Sequence, residues 1–255
     1  MNPQLTHNLK RLRLSGILNT LQLRIHEALT NQLSQLEFLE LVLQDEITLR
    51  DDRAFTKRLK AARFRDPKTI EDFDFSFNPS LKRKQILELA TGHFIRQHQD
   101  VLFIGPPGVG KSHLAQALGR QATKMGFAVL YLSIFDAVSD LMQAEAFNEL
   151  PARLKRYLAC DLLIIDDMGL KRLPKNSGEY LFQIIMRRSE MRSTILTSNR
   201  PLEDWGKLIG DVPTAGAILD RLLSRATVIE MSGKSYRMKE KTCGKLEEID
   251  NQPSH

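Results

Sequence analysis

Residues 101–119, VLFIGPPGVGKSHLAQALG, constrain the fold more than any other part of the chain. An apolar run enters a loop rich in glycine and proline, and an alanine- and leucine-rich segment follows it. The loop fits the pattern G-x-x-x-x-G-K-[ST], with Gly105, Gly110, Lys111 and Ser112 at the fixed positions. Between a predicted strand and a predicted helix, this pattern indicates a phosphate-binding loop for a nucleoside triphosphate.

The fixed positions of this loop each have a physical role. Glycine permits backbone conformations that turn successive amides toward phosphate oxygens, and the helix aims its positive end at the same point. Lys111 supplies a cation for the β- and γ-phosphates, and the Ser112 hydroxyl is placed for Mg²⁺. His113, just inside this helix, is more typical of a packing or surface residue than of a metal ligand. We expect nucleotide contacts from Gly105, Pro106, Pro107, Gly108, Val109, Gly110, Lys111, Ser112 and His113.

Short apolar runs alternate with helical segments around and after this loop. The runs VLFIG, FAVLYLS, DLLIID, STILTSN and ATVIEM suit strands that are buried on both faces of a parallel sheet. Helices fit between them at SHLAQALGRQATKMG, FDAVSDLMQ, SGEYLFQIIMRRSEM and TAGAILDRLLS. The alternation predicts a doubly wound α/β domain with helices on both faces and ligands at the carboxyl ends of the strands.

The part of the chain before the sheet reads as helices. Apolar residues recur at helical spacing through residues 14–29, and Ser34 and Glu37 have the spacing of a capping box that opens a second helix. A third helix, LRDDRAFTKRLKAARFR, should stop before Pro67, and another should cover residues 81–97. We therefore predict a small all-helical domain over residues 1–66, a linker over 67–80, the α/β domain over 81–238 and a disordered tail over 239–255.

The third helix carries a cluster of cations without an acid among them: Arg53, Lys57, Arg58, Lys60, Arg63 and Arg65. With little aromatic interleaving, such a cluster favours contact with phosphates over reading of bases. The net charge of +6 agrees with a polyanionic partner. We expect this helix to bind double-stranded DNA without sequence preference.

Three polar positions follow the apolar strands. Asp166 and Asp167 end LLIIDDMG, and two adjacent carboxylates repel each other unless a cation or a reaction uses them. We assign Mg²⁺ support to Asp166 and the orientation or deprotonation of an attacking water to Asp167. Asn199 ends ILTSN and could hydrogen-bond the γ-phosphate or that water if its strand lies between the other two.

Two arginines near the last strand are candidates for stabilising charge on a transferring phosphoryl group. Arg221 and Arg225 are four residues apart and share one face if their helix extends that far. Supplied across a subunit interface, either would be an arginine finger.

Composition narrows the cellular setting. The cysteines, Cys160 and Cys243, lack the spacing of a zinc site, so we expect a reducing, cytoplasmic environment. No apolar run has the length of a membrane span, so no membrane partner is expected.

Taken together, GPPGVGKS, LLIIDDMG, TSN and the run TSNRPLEDWGKLIGDVPTAGAILDRLLSRATVIEMSGKSYR resemble the IstB-like transposition helper ATPases of bacterial insertion sequences. These are AAA+ proteins related to the DnaC helicase loader. The resemblance covers nearly the whole chain, including the linker IEDFDFSFNPSL. It implies an AAA+ P-loop core behind a helical domain, an ATP-dependent homo-oligomer on target DNA, and a partner transposase encoded by the same element.

The resemblance also assigns roles to single residues. Residues 105–112 match the Walker A motif, Asp166 and Asp167 match Walker B, Asn199 matches sensor 1, and Arg221 matches the arginine finger better than Arg225 does. The catalytic residues that we predict are therefore Lys111, Asp167, Asn199 and Arg221. The second Walker B acid is aspartate where the broader AAA+ pattern has glutamate, and its shorter reach predicts slow ATP hydrolysis that DNA or the partner stimulates. The chain has no room for the usual helical lid, which leaves Arg237 without an assigned role.

Two other functions remain open from the sequence. A DnaC-like loader would share the fold but would prefer single-stranded DNA and a replicative helicase. A P-loop kinase for a small molecule would want an arginine-rich lid, and the sequence shows no such insert.

Overall fold

In the computed structural model, which describes residues 2–174, 177–233 and 235–236, the chain divides into two compact units, residues 1–57 and 58–255. The division falls inside the third helix, ahead of the linker that we predicted over residues 67–80. The predicted tail and Arg237 lie outside the described residues.

The first unit consists of helices α1 (Pro3–Arg11), α2 (Ser15–Asn31) and the start of α3 (Gln35–Ala62). The predicted second and third helices are wrong as separate elements, because α3 runs without a break through both. The capping box at its start is confirmed, since the backbone N–H of Ser34 donates to Glu37 Oε2 at 2.7 Å and that of Glu37 donates to Ser34 Oγ at 3.3 Å. A small core holds this unit together: Leu9, Ile17, Leu21 and Val42.

The second unit has five strands, whose order along the chain is β1 (Asp100–Ile104), β2 (Val129–Ser133), β3 (Leu162–Met168), β4 (Ser193–Ser198) and β5 (Ala226–Glu230). They form one sheet in the order β2-β3-β4-β1-β5, and every pair is parallel. The predicted parallel sheet is confirmed, and β4 lies between the P-loop strand β1 and the acidic strand β3. The carboxyl ends of these three strands therefore meet at one edge.

Helices cover both faces of the sheet, as predicted. Successive strand residues point to opposite faces, so Leu102 belongs to one buried cluster and its neighbours Val101 and Phe103 to another. One cluster includes side chains of α7 (Ile134–Ala146), α8 (Leu150–Ala159), α9 (Ser177–Arg188), α10 (Trp205–Ile209) and α11 (Val212–Leu223). The other includes side chains of α4 (Arg83–Ala90), α5 (His93–Arg96) and α6 (Lys111–Lys124).

Two details depart from the sequence prediction. The helix expected over residues 81–97 is broken into α4 and α5 by Gly92, whose φ of 70° lies in the left-handed region. Helices α8 and α10 were not predicted. Within α10, Trp205 is fully buried and its indole N–H donates to Ser198 Oγ at the end of β4. Among the described helices, none combines the length and the apolar character that crossing a membrane requires.

Candidate nucleotide-binding site

The loop between β1 and α6 has the backbone that its glycines predict. Gly105, Gly108 and Gly110 have φ values of 157°, 85° and 100°. A Cβ at Gly105 would lie 1.9 Å from the carbonyl oxygen of Met231, just past the end of β5. Glycine is therefore required here both by conformation and by the close approach of a neighbouring segment.

Lys111 opens α6 and is 4% exposed. Its ammonium donates to the carbonyl oxygens of Gly105 and Pro106, each at 2.8 Å. The amine thus folds back over the loop that should hold the phosphates. A cation so placed can exchange neutral carbonyl acceptors for phosphate oxygens, which are stronger acceptors because they are charged.

Asp166 is buried, at 1% exposure, and its carboxylate is surrounded by hydroxyl donors. Ser112 Oγ donates to Oδ1 at 2.9 Å, Tyr131 donates to Oδ2 at 2.6 Å, and Thr197 donates to Oδ1. Burial, and then the adjacent Asp166 carboxylate, raise the pKa of the Tyr131 phenol, so this hydroxyl stays a donor. Walker A and the first Walker B acid are therefore in direct contact.

Asp167 differs from its neighbour in both backbone and exposure. Its φ of 66° lies in the left-handed region, and the ladder between β3 and β4 shifts register around it. Its N–H donates to Asp166 Oδ1 at 3.0 Å and to Thr197 Oγ1 at 3.1 Å. The backbone of Asp167 is thus fixed, while its side chain is 21% exposed at the carboxyl edge.

Asn199 lies where the predicted sheet order requires. It directly follows β4, its N–H donates to the carbonyl oxygen of Met168 at 2.8 Å, and the residue is half-buried. The strand before it contributes Thr197, which touches both acids. No role for Thr197 or Tyr131 was predicted from the sequence. Their positions on the two strands that flank β3 are the signal that could have found them.

The linker and the last described residues lie against the loop. The ring of Phe73 packs edge-on against His113, with ring centroids 5.3 Å apart, and a Cβ at Gly110 would lie 2.5 Å from Phe73. The Nε2–H of His113 donates to the carbonyl oxygen of Thr69 at 2.7 Å, and burial lowers the pKa of the imidazole. The backbone N–H of Tyr236 donates to the carbonyl oxygen of Gly108 at 3.0 Å. His113 therefore contacts the linker, in agreement with packing.

The same linker borders a cavity of about 310 Å³. Ile70, Phe73, Phe75, Arg83 and Leu87 are among its lining residues. Glu71 and Asp74 also line it, so the cavity combines aromatic rings with charged side chains.

The donor set fits Mg²⁺. Ser112 Oγ and Asp166 Oδ1 are hard oxygen donors 2.9 Å apart. The described residues contain no cluster of three or more His, Cys, Asp or Glu that could enclose a metal by itself. Mg²⁺ is typically held by one or two protein oxygens together with substrate phosphates and water, so this sparse set agrees with such an ion.

The two candidate arginine fingers do not share one helix face. Helix α11 ends at Leu223, so Arg221 lies in its last turn and Arg225 lies beyond it. Arg225 donates to the carbonyl oxygen of Gln97, and its own carbonyl accepts from Asp100 N at the start of β1. Both arginines are exposed. Both shortly precede β5, so they lie toward the amino edge of the sheet, opposite the edge that carries the phosphate loop.

The cations predicted to bind DNA fall into different environments. Arg53, Lys57, Lys60 and Arg63 are exposed, although Arg53 also donates to Ser15 Oγ at 2.6 Å. Arg58 is half-buried and its Nε donates to the carbonyl oxygen of Thr123 at 3.3 Å. Arg65 pairs with Asp167 at 3.2 Å and so lies at the nucleotide site. Helix α3 ends before the last two of these cations, Arg63 and Arg65.

Comparison with known proteins agrees with this geometry. The family model described as IstB-like ATP binding protein matches residues 7–244. The chain belongs to this family. An ATP-binding protein of insertion sequence IS21 from Pseudomonas aeruginosa is 39% identical over 233 residues, which are 91% of this chain and 88% of the relative. A counterpart of IS232 from Bacillus thuringiensis subsp. berliner is 37% identical over 237 residues, covering 93% of this chain and 95% of the relative.

Solved structures place the IstB-like chain in the AAA+ fold. AMPPCP-bound DnaA from Aquifex aeolicus superposes with a TM-score of 0.57 at 22% identity, over 75% of this chain and 58% of that one. The DnaC helicase loader superposes with a TM-score of 0.52 at 22% identity, over 69% of this chain and 98% of that one. The predicted AAA+ P-loop fold is thus confirmed, and the chain shares this fold with DnaC.

Proposed function

We propose that this IstB-like protein hydrolyses ATP, with Mg²⁺, as a cytoplasmic homo-oligomer on double-stranded DNA and assists the transposase of its insertion sequence. The observation that supports hydrolysis most directly is the contact between the two motifs, in which Ser112 donates to the buried Asp166 beside the partly exposed Asp167. Family membership argues against the small-molecule kinase alternative.

The residues divide the work as follows. Backbone amides of residues 105–112 and the Lys111 ammonium bind the phosphates, while Ser112 and Asp166 would hold Mg²⁺. Bound there, Mg²⁺ would neutralise charge that develops on the phosphates. Asp167 orients the attacking water and accepts its proton, and Asn199 hydrogen-bonds the γ-phosphate or that water. A short carboxylate in the role usually given to glutamate favours slow basal turnover.

The positions of the two arginines support the proposed oligomer. Arg221 is exposed near the amino edge of the sheet, whereas its own Walker site is at the carboxyl edge. A five-residue strand such as β1 separates these edges by roughly 15 Å. This separation supports a role for Arg221 at the site of a neighbouring subunit rather than at its own. Arg225, held at the start of β1, is the weaker candidate.

A mixing experiment tests the shared site. We expect Lys111→Ala to lose ATP binding, Asp167→Asn to bind ATP without hydrolysing it, and Arg221→Ala to bind ATP with turnover reduced by roughly 10³–10⁵-fold. Mixing Asp167→Asn with Arg221→Ala subunits should partly restore hydrolysis, because some interfaces then join an intact finger to an intact Walker site. The absence of rescue at every mixing ratio, measured by phosphate release, would rule out a shared site.

DNA binding rests on the exposed cations of α3 and on assembly, because aligned weak patches reinforce one another along a duplex. Charge reversal at Lys57 and Lys60 should weaken binding to all duplexes alike and reduce the salt slope, with monomer ATP binding unchanged. The measurement is a salt titration of fluorescent duplex with ATP, with ADP and without nucleotide. Preference for single-stranded DNA in the same titration would instead support the helicase-loader alternative.

A further inference from the structure

Arg65 had been predicted to contact DNA, yet its guanidinium lies at the catalytic acid. Its Nη1 is 3.2 Å from Asp167 Oδ2, and its Nη2 is 3.7 Å from Asp136 Oδ2, in the first turn of α7. The Arg65 side chain is 52% exposed. One arginine therefore joins the proposed water-activating carboxylate to a neighbouring helix while remaining accessible to solvent.

The main chain that carries Arg65 is held firmly against the P-loop helix. The backbone N–H groups of Arg65 and Asp66 donate to Gln116 Oε1 at 3.0 and 3.1 Å. Gln116 lies in α6 and is 3% exposed. The preceding residue, Phe64, packs on Tyr131 with ring centroids 6.0 Å apart. The guanidinium is thus delivered from a fixed backbone rather than from a free surface loop.

Asp167 is fixed at its backbone as well, by the two hydrogen bonds of its N–H. Its side-chain direction is therefore set by what its carboxylate contacts. With Oδ2 paired to a guanidinium, one acceptor position of that oxygen is occupied and the adjacent positive charge makes the carboxylate a weaker base. Proton transfer from water to Asp167 would also leave the guanidinium without one of its counter-ions.

We propose that Arg65 is a positioning residue that restrains Asp167 until DNA phosphates take over its guanidinium. This inference rests on the proposed function and names the regulation of that same site. Guanidinium groups bind phosphate at least as well as carboxylate, through paired hydrogen bonds. Lys60 and Arg63, exposed on the same segment, would bring the phosphate backbone to Arg65. The restraint accounts for slow hydrolysis without DNA and for its stimulation by DNA.

The test measures kcat and KM for ATP with and without duplex DNA for Arg65→Gln, Arg65→Lys and Asp136→Asn. Because the pair is partly exposed, we expect Arg65→Gln to raise the DNA-independent kcat about three- to fivefold, with KM for ATP unchanged. DNA should then stimulate this variant correspondingly less. Arg65→Lys keeps the positive charge and should therefore retain most of the restraint, so its DNA-independent kcat should stay close to the parental value. Asp136→Asn removes only the second anchor, so it should raise the basal kcat less while DNA affinity stays at the parental value.

Lys155→Gln is the matched control, since it removes an exposed positive charge on α8, away from the site, and should leave the basal kcat unchanged. A basal kcat for Arg65→Gln that equals the parent's, or falls below it, overturns the restraint. If Arg65→Gln is faster but DNA does not stimulate the parent, the restraint holds and the DNA trigger is wrong. If parent and variant both bind a fluorescent ATP analogue and neither hydrolyses ATP, the proposed function itself fails.

Discussion

The two edges of the sheet bury charge in different ways. At the carboxyl edge, Asp166 is surrounded by the hydroxyls of Ser112, Tyr131 and Thr197. At the amino edge, the guanidinium of Arg188, 1% exposed, donates to backbone carbonyls. These acceptors belong to Tyr157, Cys160, Asp161 and Ser193.

Asp100 completes the amino edge. It is 8% exposed, and its Oδ1 accepts from the backbone N–H of Thr194 at 2.6 Å. The hydroxyl of Thr194 in turn accepts from Arg188 Nε at 3.2 Å. Main-chain acceptors cannot leave when a ligand arrives, whereas the hydroxyl of Ser112 can turn toward a cation. The Arg188 guanidinium therefore joins main-chain segments at the amino edge, whereas we expect the Asp166 carboxylate at the carboxyl edge to serve ligand binding.

The largest expected effect comes from neutralising the carboxyl edge. Asp166→Asn keeps the shape of the side chain but removes the charge that would support Mg²⁺. We expect Mg²⁺-dependent ATP hydrolysis to fall roughly 10²–10³-fold, in line with a loss of several kcal/mol of charge stabilisation. The melting temperature should stay within a few degrees of the parent's. A large loss of thermal stability, measured by calorimetry, would show that Asp166 mainly stabilises the fold and would contradict the difference between the two edges.

The next effect concerns Arg188. Replacement by Met preserves much of the volume but leaves several buried carbonyls without donors, so we expect a loss of about 3 kcal/mol in the free energy of unfolding. Binding of a fluorescent ATP analogue to the folded variant should remain parental. Arg188→Lys keeps the charge but cannot reach all these acceptors. Its free energy of unfolding should therefore lie between those of the parent and of Arg188→Met. Unaltered urea denaturation of Arg188→Met would contradict a structural role.

The smallest effect is a pH dependence at Asp100. Burial raises the pKa of this carboxyl to about 6 in the folded protein, above its ordinary value. The folded state therefore binds the proton more tightly than the unfolded state, and stability should fall as the pH rises from about 4 to about 6. In Asp100→Asn this fall, on the order of 1–3 kcal/mol, should disappear, as urea titrations at several pH values would show. ATP binding should be the same in both proteins.

The sequence was enough to predict the parallel sheet, the P-loop and the placement of both acids, because continuous apolar strands and a strict loop pattern depend on local chemistry. It also placed Asn199 correctly, conditional on the position of β4. It missed the continuity of α3, which was divided into two helices at residue 48 although residues 35–62 contain no Gly or Pro that would end a helix. The sequence did not predict the pairing of Arg65 with Asp167, because a cation beside a basic helix gives no local sign that its partner is an acid far away in sequence.

The contacts around Asp166 could not be predicted from the sequence either. Tyr131 lies in an apolar run, and only the pairing of β2 with β3 brings its hydroxyl to the acid. The same holds for Phe73, which the linker sequence alone could not place over the P-loop helix. Sequence patterns thus identified residues whose role is set by their own motif, and the structure identified those whose role is set by a neighbour.

The left-handed backbone of Asp167 bears on which residue types this position can accept. Aspartate and asparagine enter that conformation more readily than longer side chains do, because their short polar groups can hydrogen-bond locally. Glycine would enter it without strain but would bring no carboxylate. A glutamate would extend farther from the backbone, but it would adopt the left-handed conformation less readily and so destabilise the fold. The aspartate in the second Walker B position is therefore a compromise between a strained turn and a reactive group, and substitutions that relax the turn should be the route by which a longer acid becomes acceptable there.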